Sequence, residues 1–247
     1  MYAQSVLITG CNRGIGLELV KQLANKTEAL FAGCRKPDAA KELLEIAECH
    51  KNISVLELDV TNEHSIQTAV KKVSSTVGKN GLNCLINNAG VTNKGESQIH
   101  TITSKGLRDL YEVNAVAPAM MVKAFLPLLK QASSTCGGDV MSVSRAAVLN
   151  VSSELSSIEK NIKAGVYGYR MSKIALNMLT MNLSIELKQH RILAVSLHPG
   201  WVKTDMGGKR ARVKVFDSVE KLINVTVNFT ETSNGLLYSW EGEILPW

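Results

Sequence analysis

Ser5-Val-Leu-Ile-Thr9, running directly into Gly10-Cys11-Asn12-Arg13-Gly14-Ile15-Gly16, is the stretch that decides the fold. Its first five residues, with an apolar, β-branched centre, read as a buried strand. The amphipathic run that follows reads as a helix from about Ile15 to Ala24. Between them lies Gly-x-x-x-Gly-x-Gly. Gly10 permits a tight turn, and Gly14 and Gly16 permit backbone to approach a pyrophosphate and a neighbouring strand. A helix that starts there presents free N–H groups and a partial positive charge to phosphates. Gly10, Asn12, Arg13, Gly14, Ile15 and Gly16 are therefore candidate contacts for a nucleotide. The alternative is an ordinary glycine-rich turn, and the position at the first strand–helix junction favours the nucleotide.

The same alternation continues along the chain. Strands are expected at Ala29–Gly33, Ser54–Leu58, Leu82–Ile86, Ile192–Leu197 and near Leu236–Tyr238. Asp139–Val143 and Val148–Val151 bracket a fifth. Helices are expected at Asp38–Cys49, Glu63–Val77, Ser104–Gln131 and Gly165–Lys188. Strands that are continuously apolar and alternate with helices form a parallel sheet covered on both faces. The expected fold is α/β, a single-domain, Rossmann-type doubly wound parallel sheet with helices on both faces. Residues 1 to about 150 would form the cofactor half and 151–247 the catalytic and substrate half. Ligands in such sheets bind outside the carboxyl ends of the strands.

The end of the second strand selects the nucleotide. An acid there would bind the ribose hydroxyls of NAD and repel a 2′-phosphate. The chain instead has Cys34-Arg35-Lys36, with Arg13 in the glycine turn. Two guanidinium forks match phosphate oxygens, so NADPH/NADP is expected over NADH. Asp38 follows Pro37 and is expected to cap the next helix.

Composition narrows the function classes. The chain has 247 residues and a formal net charge of +6. Its basic residues are scattered. The densest run, Lys209-Arg210-Ala211-Arg212 then Lys214, has no interleaved aromatics and reads as a solvated loop, so no nucleic acid partner is expected. Five cysteines without a C-x-x-C pattern suit free thiols in a reducing compartment. The N-terminus lacks a secretory pattern and no stretch is read as a membrane span, so a cytoplasmic protein without a membrane partner is expected. The five histidines are dispersed with no ligand spacing, and no metal is expected.

Tyr169-Arg-Met-Ser-Lys173 carries the chemistry. On a helix, positions i and i+4 share a face. A tyrosine has a pKa of about 10 in water. A neighbouring ammonium favours the phenolate and brings it toward useful acid–base strength. Alone, the pair could equally be a surface contact, with Tyr167 as a rival for Tyr169.

Other motifs stand at strand ends in a fixed order: Asp59-Val60, Asn87-Asn88-Ala89-Gly90, Asn150-Val-Ser152-Ser153 and Pro199-Gly200, with Asn114 inside the long helix. Together with the glycine turn and Tyr169/Lys173, they resemble the short-chain dehydrogenase/reductase family over nearly the whole chain. Cys34-Arg35, the stretch Gly165–Lys173, His198-Pro-Gly-Trp201 and the ending Glu241–Trp247 resemble its sniffer-type carbonyl reductases and C-factor-like members.

The resemblance implies a reductase acting on a small-molecule ketone, aldehyde or quinone. It implies Ser153, rather than Ser152, on the substrate oxygen, Tyr169 as proton donor, Lys173 tuning Tyr169 and holding the nicotinamide ribose, and Asn114 holding a relay water. It places Asp59 and Val60 at the adenine, and Asn87, Ala89 and Gly90 along the cofactor. Pro199, Val202 and Thr204 fall at the nicotinamide end. Relatives commonly form homodimers or homotetramers. The segment Glu154–Ala164 is longer than usual and is expected to form part of the substrate wall, with Trp201–Thr230 as a covering loop. An NAD-dependent alcohol dehydrogenase and a dinucleotide-binding regulator without turnover remain alternatives.

Overall fold

The computed structural model describes residues 2–247. Strands β1 (Ser5–Thr9), β2 (Ala29–Cys34), β3 (Ile53–Glu57), β4 (Cys84–Asn87), β5 (Ala147–Val151), β6 (Leu193–His198), β7 (Leu237–Ser239) and β8 (Ile244–Leu245) make one sheet in the order β3-β2-β1-β4-β5-β6-β7-β8. All neighbours are parallel except β7 and β8, whose antiparallel pairing closes the edge. The helices are α1 (Gly14–Leu23), α2 (Lys41–Cys49), α3 (Glu63–Val77), α4 (Ser104–Tyr111), α5 (Ala117–Thr135), α6 (Tyr167–Glu186) and α7 (Val215–Thr226).

Successive residues of a strand face opposite sides, and β1 shows the consequence. Val6 and Ile8 enter one core with Leu23 of α1 and Val219 of α7. Leu7 enters the other with Phe31, Val73 of α3 and Phe125 of α5. Both cores are built of buried apolar side chains, each contributing roughly 1.5–3 kcal/mol. Chain order reverses between β1 and β4, which opens a crevice at the carboxyl ends of those strands.

Local chemistry sets the helix starts. Asn62 accepts from the Ser65 amide ahead of α3, and Thr103 accepts from the Gly106 amide ahead of α4. Asp38 does not act in this way: it lies in a single 3₁₀ turn (Pro37–Ala39), and α2 begins behind Ala40 without a side-chain cap. Proline at the first position favours that short turn.

The long helix is interrupted. Glu112–Val116 widens into a π turn, in which the Ala117 amide reaches back to Glu112 O. Pro118 lacks the N–H that would close an α-helical bond onto Asn114, and its ring crowds that carbonyl; widening relieves both. By length and mean hydropathy the continuous stretch Ser104–Thr135 does qualify as a membrane-length helix, contrary to expectation. Half of its most apolar window is buried inside the fold, as a core helix requires.

Asp139–Val143 forms no strand. The four residues of β4 pair with Ala147–Asn150, so nothing remains for it to join. Arg145 organises the segment instead. Its buried guanidinium donates to the carbonyls of Ser133, Gly137, Gly138 and Val140. Trp201–Thr230 is likewise not one covering loop, because Val215–Thr226 is α7, packed on α1.

Candidate active site

A cavity of about 940 Å³ opens along the carboxyl ends of β1, β2, β4, β5 and β6. The glycine turn forms one end. A Cβ on Gly16 would overlap Gly10 O and the Asn88 amide, so α1 starts hard against both strand ends. Asn88 locks this junction by donating to Thr9 O at 2.8 Å and Gly10 O at 3.2 Å. Gly10 itself sits at φ +73, with Ala89 Cα only 3.0 Å from where its Cβ would be. Such a cradle leaves backbone exposed to a ligand, and it fits a pyrophosphate.

Most expected contacts line this space: Gly10, Asn12, Arg13, Gly14, Ile15, Gly16, Arg35, Asp59, Val60, Ala89, Gly90, Pro199, Val202 and Thr204. Arg35 makes no ion pair among the described residues, which leaves its fork free. Asp59 accepts from the Thr61 amide and hydroxyl through one carboxylate oxygen. Asn88, and not its neighbour Asn87, is among the residues that line the cavity. Asn87 is the last residue of β4 and donates sideways to Asn150 Oδ1 at 2.8 Å.

The opposite end holds Ser153, Tyr169 and Lys173. One face of α6 carries Tyr169, Lys173, Asn177 and Thr180, at helical spacing. Its polar residues bond to strand ends. Asn177 accepts from Ser152 at 2.7 Å, and Thr180 bonds both Asn150 and Ser196 at 2.9 Å. This buried network fixes the helix, and hence the tyrosine, relative to β5 and β6. It also separates the two serines: Ser152 is spent on Asn177, while Ser153 lies beside the Tyr169 hydroxyl. Tyr167 is absent from the cavity wall.

Val166, directly before α6, is a β-branched residue at φ 45 and ψ 42. A left-handed valine costs on the order of 1–3 kcal/mol. It is held by its amide bond to Ser97 O at 2.7 Å and lines the cavity beside Tyr169.

The electrostatics depart from expectation at Tyr169. Burial pushes its phenol above the ordinary value, and the Ser153 hydroxyl only partly offsets this. The Lys173 ammonium lies 5.9 Å from the tyrosine ring centroid and donates to Val151 O at 2.7 Å. Burial pushes Lys173 itself down to about 8, because desolvation disfavours the charged form. Asn114 is fully buried, and a Cβ on Gly90 would lie near both its Oδ1 and Lys173 Nζ. Asn114 accepts from the Val91 amide and donates to Val91 O and Ser172 Oγ, tying the loop after β4 to α6.

The cavity wall also includes His198, Glu154, Lys94 and Asp205. His198 ends β6, and Glu154 follows Ser153, with 3.8 Å between His198 Nε2 and Glu154 Oε1. Burial lowers the His198 pKa and Glu154 opposes that. Asp205 lies in the expected covering segment after β6; Lys94, in the segment after β4, was not anticipated, and the rule that ligands gather at carboxyl ends of strands could have found it. The expected substrate wall Glu154–Ala164 is mostly elsewhere. Only Glu154 and Leu155 reach the cavity, Ile158 and Ile162 are exposed, and the Glu159 amide bonds Trp247 O.

The sequence matches the short chain dehydrogenase family over residues 4–214. Among solved structures, it is similar to the carbonyl reductase Sniffer of Drosophila melanogaster, with 44% identity and a TM-score of 0.97 over 99% of this chain and 100% of that one. An NADPH-bound carbonyl reductase from chicken fatty liver is 40% identical with a TM-score of 0.94, over 100% of both chains. An uncharacterized oxidoreductase of Schizosaccharomyces pombe is 32% identical, over 97% of this chain and 96% of the relative.

Proposed function

Because the chain belongs to the short-chain dehydrogenase family, we propose that it reduces a ketone, aldehyde or quinone carbonyl to an alcohol with NADPH, with Tyr169 as the acid. The observation that carries this reading is the single cavity that joins the glycine turn and Arg35 at one end to Ser153, Tyr169 and Lys173 at the other. The two solved relatives at 44% and 40% identity are carbonyl reductases, which supports the reaction class. The NADPH bound by the chicken relative and the acid-free end of β2 support the cofactor.

When bound, the nicotinamide supplies the hydride to the carbonyl carbon. Ser153 donates a hydrogen bond to the carbonyl oxygen. Tyr169 then protonates that oxygen, and burial keeps the phenol protonated at neutral pH, as a donor requires. Lys173 carries its charge at neutral pH against a large desolvation cost. It orients the ribose hydroxyls and favours the phenolate once the proton has left. Asn114 fixes the wall behind Lys173, where a water would return the proton. Arg13 and Arg35 hold the 2′-phosphate, Asp59 and Val60 flank the adenine, and Pro199, Val202 and Thr204 hold the nicotinamide end. The five free cysteines support a reducing, cytoplasmic setting.

The test is NADPH oxidation by wild type and Tyr169→Phe across a panel of ketones, quinones and aldehydes. Turnover by wild type and a loss of about 10²–10⁴-fold in kcat with NADPH binding retained is expected. A variant that keeps more than about a tenth of the activity, short of even the low end of general acid catalysis, removes Tyr169 from that role.

A further inference from the structure

Arg13 is not free. Its Nη1 lies 2.6 Å from Asp205 Oδ2, an ion pair between residues 192 positions apart that joins the glycine turn to the segment after β6. The same aspartate is gripped from the other side of the crevice, where Lys94 Nζ, in the segment after β4, donates to Asp205 O at 2.9 Å. The segment lies against the turn, since a Cβ on Gly14 would come within 3.3 Å of the Thr204 methyl. Thr204 Oγ1 in turn accepts from the Gly207 amide, so Asp205 sits at the apex of a self-bonded turn.

The charge pattern makes this contact informative. Between Gly200 and Lys214 there are five basic residues and one acid, Asp205. A lone carboxylate among neighbouring cations nevertheless pairs with an arginine on another strand's loop. Arg35, the other guanidinium at this end of the cavity, has no such partner among the described residues. A carboxylate and a phosphate compete for the same guanidinium fork, because both offer paired anionic oxygens to it.

We propose that Asp205 is a specificity-determining residue: its carboxylate occupies Arg13 as an internal competitor of the cofactor's 2′-phosphate, which must displace it to bind. The inference rests on the NADPH reading above. It follows that Asp205 weakens NADPH selectively. A cofactor without the 2′-phosphate leaves the Arg13–Asp205 pair in place, and its affinity is indifferent to residue 205. Displacement by the phosphate also frees the turn that carries Thr204.

Both partners are largely exposed, at 70% and 76%, so the competition is modest. Exposed ion pairs correspond to about a 1.4- to 5-fold change in an equilibrium constant.

The test uses binding titrations of NADPH, NADH, adenosine 2′,5′-bisphosphate and 5′-AMP to the full chain as wild type, Asp205→Asn, Arg13→Ala and the double variant. Asp205→Asn should tighten NADPH and the bisphosphate about two- to fivefold and leave NADH and 5′-AMP unchanged. In the Arg13→Ala background the gain should vanish. Unchanged or weaker bisphosphate binding in Asp205→Asn overturns the proposal; weakening would mean that Asp205 orients Arg13 for the phosphate. A gain that persists without Arg13 also overturns it. If wild type does not distinguish the bisphosphate from 5′-AMP, the cofactor reading itself has failed, a result separate from the others.

Discussion

Replacing Lys173 by methionine isolates the cost of its buried ammonium. Lys173 is 4% exposed, and burial lowers its pKa from 10.5 to about 8. At about 1.36 kcal/mol per unit, holding the charge at pH 7 costs the fold about 3 kcal/mol. Methionine fills a similar volume without charge but leaves Val151 O without its donor, a loss of about 1–3 kcal/mol. The two terms oppose each other, so Lys173→Met should lie within about 2 kcal/mol of wild type at pH 7, on the stable side, while losing turnover. The pH dependence is the sharper signature. A lysine with a depressed folded pKa burdens the native state below about pH 8. The burden shrinks as pH rises toward 10.5, because the unfolded chain then binds more protons than the folded one. Wild type should therefore gain about 2–3 kcal/mol on the variant between pH 7 and 10.5. Urea unfolding of both cofactor-free proteins at several pH values measures this. Parallel pH profiles would show that Lys173 is not a desolvated ammonium and would refute the reasoning.

Two further outcomes are expected. Arg35→Asp should abolish or reverse a preference for NADPH over NADH of at least about tenfold, or 1.4 kcal/mol, read by fluorescence titration; an unaltered preference would locate the phosphate elsewhere. Gly16→Ala should destabilise the fold by about 1–3 kcal/mol and weaken cofactor binding, because the added carbon meets Gly10 O and Asn88 Nδ2. An unchanged melting temperature and affinity would contradict that packing.

Much of this protein was readable along the chain because its signals are local. Periodicity marked β1, β2, β6 and α3, and the glycine turn marked the tight first strand–helix junction. The i, i+4 spacing put Tyr169 and Lys173 on one face of α6, and the order of short motifs identified the family. Sequence alone misjudged features whose outcome depends on a partner distant in the chain. Asp139–Val143 has strand composition but no free ladder beside β4, and Arg145 instead binds Val140 O together with carbonyls of the turn just before the segment. Asn87 and Asn88 are adjacent and chemically identical, yet the pleat turns one into the sheet and the other to the cavity. Burial, not the nearby ammonium, sets the Tyr169 phenol, since desolvation depends on everything packed around it. Arg13 carries a sequence signal for phosphate, but only the folded chain brings Asp205 across 192 positions to meet it. Local propensity and spacing are written in short windows; burial, strand register and long-range charge pairing exist only once the chain has closed on itself.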